Sequence, residues 1–388
     1  MTPSANFRFS TVAHLICAAG AAAQLGTHVA DLFPRARRVL MVTDGDLLAT
    51  GLLDAAQRSL ELHGMAVYIY AGVIADPPEG IVRHATEFAQ EQDVDLVIGF
   101  GGGSSMDVAK LVSVLYRGSQ TLGQILGNNK VIGTRLPLVQ VPTTAGTGAE
   151  VSNIAIVTTG DTTKAAVVAP QLFADLAILD AELTLGLPPL ITAATGIDAM
   201  VHAIEAYTSV HHKNPLSDLL ACKALTLLSH NLITACEHGG DMHARQAMLL
   251  GACYAGQAFS NAPVAAVHAL ACPIGGRFQV PHGLSNALVL PHVLKFNLPA
   301  AAPLYAELAG IIAPHVEGTV EARAEALIVA MQQLAKITGI ATSLEQVGIR
   351  ETDLDGLADD AMLQTRLLLN NPRTVTRADA RAIYAAAL

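Results

Sequence analysis

Four short runs of aliphatic residues, each closed by a polar or glycine-bearing turn, constrain this chain more than anything else in it. They are Val39-Leu-Met-Val-Thr-Asp44, Met65 to Tyr70, Asp95-Leu-Val-Ile-Gly-Phe100 and Leu138-Val-Gln-Val141. Strands buried on both faces read as unbroken Val/Ile/Leu runs rather than alternating ones. Between the first three lie helical patterns, Leu47 to Leu62 and Gly80 to Gln92. Strand and helix in alternation predict a parallel βαβ sheet. Ile154 to Thr158 is expected to start a further strand or hairpin. After Asp180 the pattern changes. Leu183-Thr-Leu-Gly-Leu-Pro-Pro189 carries boundary punctuation. Apolar residues then recur at three- and four-residue spacing over Thr192–Val210, Leu216–Cys236 and Ala244–Phe259. The expected fold class is α/β plus all-α, with an α/β domain over residues 1–184 and a helical domain over 185–388.

Composition narrows the partners. Of the 388 residues, 52% are hydrophobic and 14% charged, which excludes intrinsic disorder. No uninterrupted apolar run reaches the roughly 18 residues of a bilayer span, so no membrane is expected. A net charge of −10 repels phosphate backbones and anionic lipids, so no nucleic acid is expected either. Arg35, Arg37 and Arg38 form the one dense basic cluster and read as a solvated loop. The five cysteines (Cys17, Cys222, Cys236, Cys253 and Cys272) contain no Cys-x-x-Cys pair, which points to a reducing compartment. Val12 to Leu25 follows Arg8 and has the apolar look of a signal peptide. His14 and Gln24 break that look, and Gly20 to Gly26 reads as a loop entering a short helix. A cytoplasmic location is expected.

Two glycine turns carry the first chemistry. Gly101-Gly-Gly-Ser-Ser-Met-Asp-Val-Ala-Lys110 follows the third strand and opens a helix. Glycines there let a ligand approach the backbone, and the helix-start amides face an anion such as a pyrophosphate. Pro142-Thr-Thr-Ala-Gly-Thr-Gly-Ala-Glu150 follows the fourth strand. In an open α/β sheet ligands bind beyond the carboxyl ends of the strands, so both turns would face one nucleotide crevice. Asp44, ending the first strand, can accept from a ribose diol and repel a 2′-phosphate, favouring NAD over NADP; a plain turn residue is the other reading. In the helical half, Asp198-Ala-Met-Val-His202 sets a carboxylate and an imidazole on one helix face. His268 and His282 follow. One carboxylate and three imidazoles suit Fe(II) or Zn(II), although spacing alone leaves capping or core roles open.

Taken together, these segments resemble the iron-containing (group III) alcohol dehydrogenase family. The resemblance spans nearly the whole chain and rests on five ordered motifs: Val42-Thr-Asp44, Gly101 to Asp107, Pro142 to Glu150, Gly196-Ile-Asp-Ala-Met-Val-His-Ala-Ile-Glu205, and Val267 to Gly275 with Pro281-His-Gly283. It implies a Rossmann-like domain followed by a helical metal-binding domain, the architecture shared with dehydroquinate synthases. It implies hydride transfer between a small alcohol or aldehyde and NAD, with Fe(II), or alternatively Zn(II), as Lewis acid, in a homodimer or higher homo-oligomer. By resemblance the metal ligands are Asp198, His202, His268 and His282. Gly102, Gly103, Ser104 and Asp107 fall where the family holds the cofactor pyrophosphate, and Thr143 and Thr144 beside its phosphate and nicotinamide end. Lys164 matches a ribose-contacting lysine, while Asn153 and Phe259 match positions bordering the substrate pocket.

Two departures stand out. Cys272 occupies the place of a histidine, one turn after the third ligand, to which relatives assign a catalytic proton relay. A thiol is a poorer relay near neutral pH, and a small core residue is the other reading. Ala75-Asp-Pro-Pro78 stands where relatives often have Pro-Asn-Pro-Thr, in a loop near the cofactor cleft. Two related chemistries are disfavoured. A dehydroquinate-synthase-like lyase needs cations around a phosphorylated acidic substrate, and residues 191–300 offer only Lys213, Lys223, Arg245, Arg277 and Lys295. A metal-independent maleylacetate-reductase-like enzyme has no need of Asp198 with three histidines.

Overall fold

The computed structural model describes residues 6–160 and 163–388. Its strands are β1 (His14–Cys17), β2 (Arg38–Asp44), β3 (Ala66–Val73), β4 (Leu96–Gly101), β5 (Gly127–Asn128), β6 (Leu138–Pro142), β7 (Ile154–Thr159), β8 (Thr163–Val168) and β9 (Leu176–Leu179). A six-stranded parallel sheet runs β1-β9-β6-β4-β2-β3. The expected Ile154 hairpin is present: β7 and β8 pair antiparallel and form a second sheet with β5. The centre of the large sheet is fully buried, with Val39, Leu96, Ile98, Val139 and Leu176 among its core residues. Helices α1 (Leu25–Leu32), α2 (Gly45–Ala49), α3 (Asp54–Leu62), α4 (Glu79–Glu91), α5 (Gly103–Leu115) and α6 (Leu122–Ile125) accompany the strands.

Two local expectations change. The helix expected over 47–62 is two helices, because Gly51 adopts φ +75, a left-handed conformation that ends α2. Ahead of Gly20 to Gly26, expected as a loop entering a short helix, the apolar segment from Val12 contains the unanticipated β1, whose parallel partner β9 lies far away in sequence.

The chain divides into two units. One is Thr11–Leu185; in the other, residues 6–10 join Gly186–Leu388. The early residues group there because Asn261 clamps Ser10, accepting from its N–H at 2.8 Å and donating to its carbonyl at 2.9 Å. The second unit is helical: α7 (Pro189–Thr208), α8 (Pro215–Glu237), α9 (Met242–Asn261), α10 (Ala266–Phe278), α11 (His282–Ile312), α12 (Val320–Ile337), α13 (Leu354–Met362), α14 (Thr365–Leu368) and α15 (Arg377–Ala387). Proline begins α7 and α8, where its missing N–H costs nothing. At its centre α7 packs against α8, α9 and α11. Gly196 allows that approach: a Cβ there would lie 2.5 Å from Leu232 Cδ1 and 2.7 Å from Met248 Cε. By length and composition alone, α8 and α11 are long and apolar enough to cross a membrane, although polar residues interrupt their apolar runs.

Candidate metal centre

Three helix segments bring four side chains together. Asp198 and His202 sit one turn apart on α7, His268 in the first turn of α10, and His282 at the first residue of α11. One ligand atom from each lies within 4.8 Å of all the others. Asp198, His202 and His268 are buried, while the His282 side chain is 45% exposed, so the cluster opens to solvent on that side. The sequence forces the approach at Gly283: a Cβ there would stand 2.5 Å from the Ala194 carbonyl oxygen and 3.3 Å from Asp198 Cβ. Backbone rests on backbone, which carries His282 to Asp198, with Nε2 3.8 Å from Oδ1.

Electrostatics favours a cation at this point. Burial pushes the Asp198 carboxyl up, but His202, His282, His268 and the Asn286 amide outweigh it and hold it below the usual carboxylate range. Asn286 Nδ2 donates to Asp198 Oδ1 at 2.6 Å. His268 Nε2 lies 3.9 Å from the same carboxylate oxygen and is buried with no hydrogen-bond partner among the described residues. A buried polar atom without a partner costs about 1–3 kcal/mol unless something completes it. Metal bonds of about 2.0–2.2 Å place ligand atoms roughly 3–4 Å apart. Three imidazole nitrogens and one carboxylate oxygen at these separations fit a divalent transition ion.

Glu205 and Asn286 are the residues that sequence reasoning passed over. Glu205, on α7 one turn beyond His202, accepts from Val267 N–H at 2.7 Å and bonds His268 Nδ1 at 2.6 Å. Asn286 stands one turn after His282 on α11. Helical periodicity from the ligands would have flagged both. Phe259 is stacked on His202 with ring centroids 4.5 Å apart. Cys272 lies on α10 one turn after His268, near Arg366 and Tyr384. Burial pushes the Arg366 guanidinium down, against the influence of that nearby thiol.

The cofactor candidates belong to the other unit. Neighbouring strands β2, β4 and β6 bring Asp44, Gly102 to Ser104, and Thr143 with Thr144 to one edge of the sheet. Thr143 N–H donates to the Gly101 carbonyl at 3.0 Å, tying the two glycine turns together. Gly102 caps α5, and a Cβ on it would meet nothing within 4 Å among the described residues, so the turn has room beside it. Gly103 fits against Thr147, whose Cγ2 would be 2.9 Å from an added Cβ. Ser104 follows in the first turn of α5.

Three candidates are engaged within the protein. Asp44 Oδ1 accepts from Leu47 N–H at 2.7 Å and caps α2. Asp107 accepts from Ile156 N–H at 2.9 Å and from the fully buried Lys110 at 3.2 Å, anchoring α5 to β7. Lys164 is ion-paired with Asp76, the acidic residue of the divergent Ala75–Pro78 loop. That loop is docked on the β7–β8 hairpin, where Thr158 Oγ1 donates to the Asp76 carbonyl at 2.9 Å. Asn153 lies just before β7, its Oδ1 buried and without a hydrogen-bond partner among the described residues.

Comparison with known proteins gives the arrangement its context. Residues 13–181 match the family described as iron-containing alcohol dehydrogenase, and residues 192–388 its C-terminal part. Long-chain-alcohol dehydrogenase 1 of Geobacillus thermodenitrificans is 41% identical, over 91% of this chain and 90% of its own. A crystal structure of 1,3-propanediol oxidoreductase superposes with TM-score 0.95 at 32% identity, covering 99% of this chain and all of that one. Sulfoacetaldehyde reductase from Bifidobacterium kashiwanohense, solved in complex with NAD+, superposes with TM-score 0.87 at 27% identity, covering 99% of both. The chain belongs to the iron-containing alcohol dehydrogenase family.

Proposed function

We propose that this chain exchanges hydride between an alcohol or aldehyde and NAD, with Asp198, His202, His268 and His282 holding one divalent ion, iron first and zinc second. The observation that carries this reading is the set of three imidazoles and a carboxylate within 4.8 Å, in a chain of this family. Bound there, the ion supplies Lewis-acid polarisation of an alcohol or carbonyl oxygen, and NAD supplies the hydride carrier. The protein does the rest. Asp198, His202 and His268 would hold the ion from the buried side of the cluster, with the half-exposed His282 as the fourth ligand on the solvent side. Phe259 covers His202 with an apolar face and restricts water. The Gly102 turn offers space and helix-start amides for a pyrophosphate. Asp44 excludes a 2′-phosphate. Cys272, one turn after His268 on α10, is the residue to which this reading gives the proton-relay place.

The reading extends to a cytoplasmic homo-oligomer, a dimer at least, with neither membrane nor nucleic acid as partner. Buried Asn286 and Asn297 of α11 bond to Asp198 and Asn371, which supports α11 as core rather than a span. The test is a panel of alcohols and aldehydes of increasing chain length with NAD and NADP, before and after chelation and Fe(II) or Zn(II) reconstitution. Alcohol-dependent NADH formation that is lost on chelation and restored by either ion is expected. No turnover with either ion, or full turnover in the chelated protein, would refute the reading.

A further inference from the structure

We propose that Glu205 is the positioning residue that sets the tautomer of His268 and thereby makes its Nε2 available to the ion. The proposal rests on the metal-site reading above. Glu205 is 3% exposed and both its oxygens are used. Oε1 accepts the Val267 N–H at 2.7 Å, and Oε2 meets His268 Nδ1 at 2.6 Å. The first contact does a capping job: Val267 is in the first turn of α10, whose N-cap residue Ala265 provides no side-chain cap. Without Glu205 that amide would be one of the helix's unsatisfied donors. The second contact has a chemical consequence. A carboxylate only accepts, so the proton of the imidazole sits on Nδ1 and the lone pair is on Nε2. Nε2 is the atom left buried without a hydrogen-bond partner among the described residues, 3.9 Å from Asp198 Oδ1. One carboxylate thus fixes the start of α10, the ring orientation of His268 and its protonated nitrogen. Carboxylates in this relation to a ligating histidine raise metal affinity by about 10–100-fold.

Glu205→Gln separates positioning from structure. The amide has one oxygen for two donors, Val267 N–H and His268 Nδ1–H. If the oxygen stays on Val267, the amide NH2 faces Nδ1. Metal-free protein escapes the clash at once, because the imidazole moves its proton to Nε2 and accepts at Nδ1. Metal-bound protein cannot, since the ion needs the Nε2 lone pair. The expected signature is a metal-free Tm unchanged from wild type, with a Zn(II) dissociation constant raised about 10–100-fold in competition against a chelating dye. Wild-type Zn(II) affinity in Glu205→Gln, or a fall in metal-free Tm matching the loss of affinity, would overturn the proposal in favour of simple packing. Side-chain ¹⁵N shifts of metal-free wild type provide a measurement that needs no Glu205 variant. The His268 signal, assigned by its loss in His268→Gln, should report Nδ1–H; an Nε2–H tautomer would overturn the proposal. If wild type itself binds no Zn(II), the metal-site reading fails, and that outcome is distinct from a wild type that binds and a Glu205→Gln that binds equally well.

Discussion

Gly283→Ala is the mildest substitution that should dismantle the metal centre. The new Cβ would lie 2.5 Å from the Ala194 carbonyl oxygen, where ordinary contact begins at 3.4 Å, a deficit of 3.4 − 2.5 = 0.9 Å. The obstacle is backbone, with the Ala194 carbonyl carbon at 2.9 Å, so no rotamer change relieves it. Either α11 lifts from α7 or both helices bend. Overpacking of this kind costs about 1–3 kcal/mol, which in a unit of this size lowers Tm by roughly 3–10 °C. The larger effect should fall on the site. His282 is the residue immediately before Gly283 and Asp198 Cβ is itself a neighbour of the clash, so separation of the helices moves two of the four ligands apart. Functional constellations tolerate about 0.5 Å, and a 1 Å misplacement costs on the order of 10²-fold in rate. Zn(II) affinity by dye competition, kcat/KM for the preferred alcohol after reconstitution, and Tm with and without metal test this together. The expectation is a modest loss of metal-free stability with roughly a hundredfold loss of kcat/KM. Wild-type metal affinity and kcat/KM in Gly283→Ala would refute the claim that this helix contact sets the ligand geometry.

Gly102→Ala is the complementary case: the added methyl meets nothing within 4 Å among the described residues, so Tm should hold while the NAD dissociation constant rises about tenfold or more, measured by fluorescence or calorimetric titration. Unchanged NAD affinity would remove this turn from the cofactor site. Asp44→Gly should narrow the preference for NAD over NADP by about 1–3 kcal/mol, the penalty of an unfavourable polar contact, at little cost to α2 because glycine is a tolerable cap. A wild type that prefers NADP in steady-state kinetics would contradict the role given to Asp44. Cys272→His should raise turnover near neutral pH by less than the 10²–10⁴-fold of a fully expressed acid–base group, since hydride transfer or cofactor release also limits the rate. Cys272→Ala tests the core-residue alternative, under which turnover from pH 6 to 10 stays within about twofold of wild type. Wild-type profiles in both variants would end the relay assignment.

The sheet was legible where physics leaves a strong local trace. The runs at Val39, Asp95 and Leu138 are buried on both faces in the centre of a parallel sheet, so they are largely apolar, with Thr43 and Gln140 as buried polar exceptions. The flanking strands β1 and β9 have four residues each, and β1 is half exposed, so neither has room for a pattern. Their pairing joins distant parts of the chain, which no window of sequence registers. The break between α2 and α3 depended on one glycine in a helical-looking run. In the site, Asp198 and His202 declare themselves by sharing a helix face. His268 and His282 reach them only through the packing of α10 and α11 on α7, which spacing does not encode; family motifs supplied that grouping. Glu205 and Asn286 were visible in principle as polar residues in register with ligands. Motif position assigns Asp107 and Lys164 to the cofactor; folding adds partners that no motif encodes, Ile156 and Lys110 for Asp107, and for Lys164 the Asp76 of the Ala75–Pro78 loop.

Metal content measured alongside alcohol oxidation, in wild type, His268→Ala and His282→Ala, tests the central claim most directly. The account predicts a bound divalent ion in wild type, loss of most of it from both variants by elemental analysis, and loss of nearly all alcohol oxidation, with circular dichroism showing that both chains still fold. Full activity in a thoroughly chelated wild-type sample, or in either histidine variant, would contradict it.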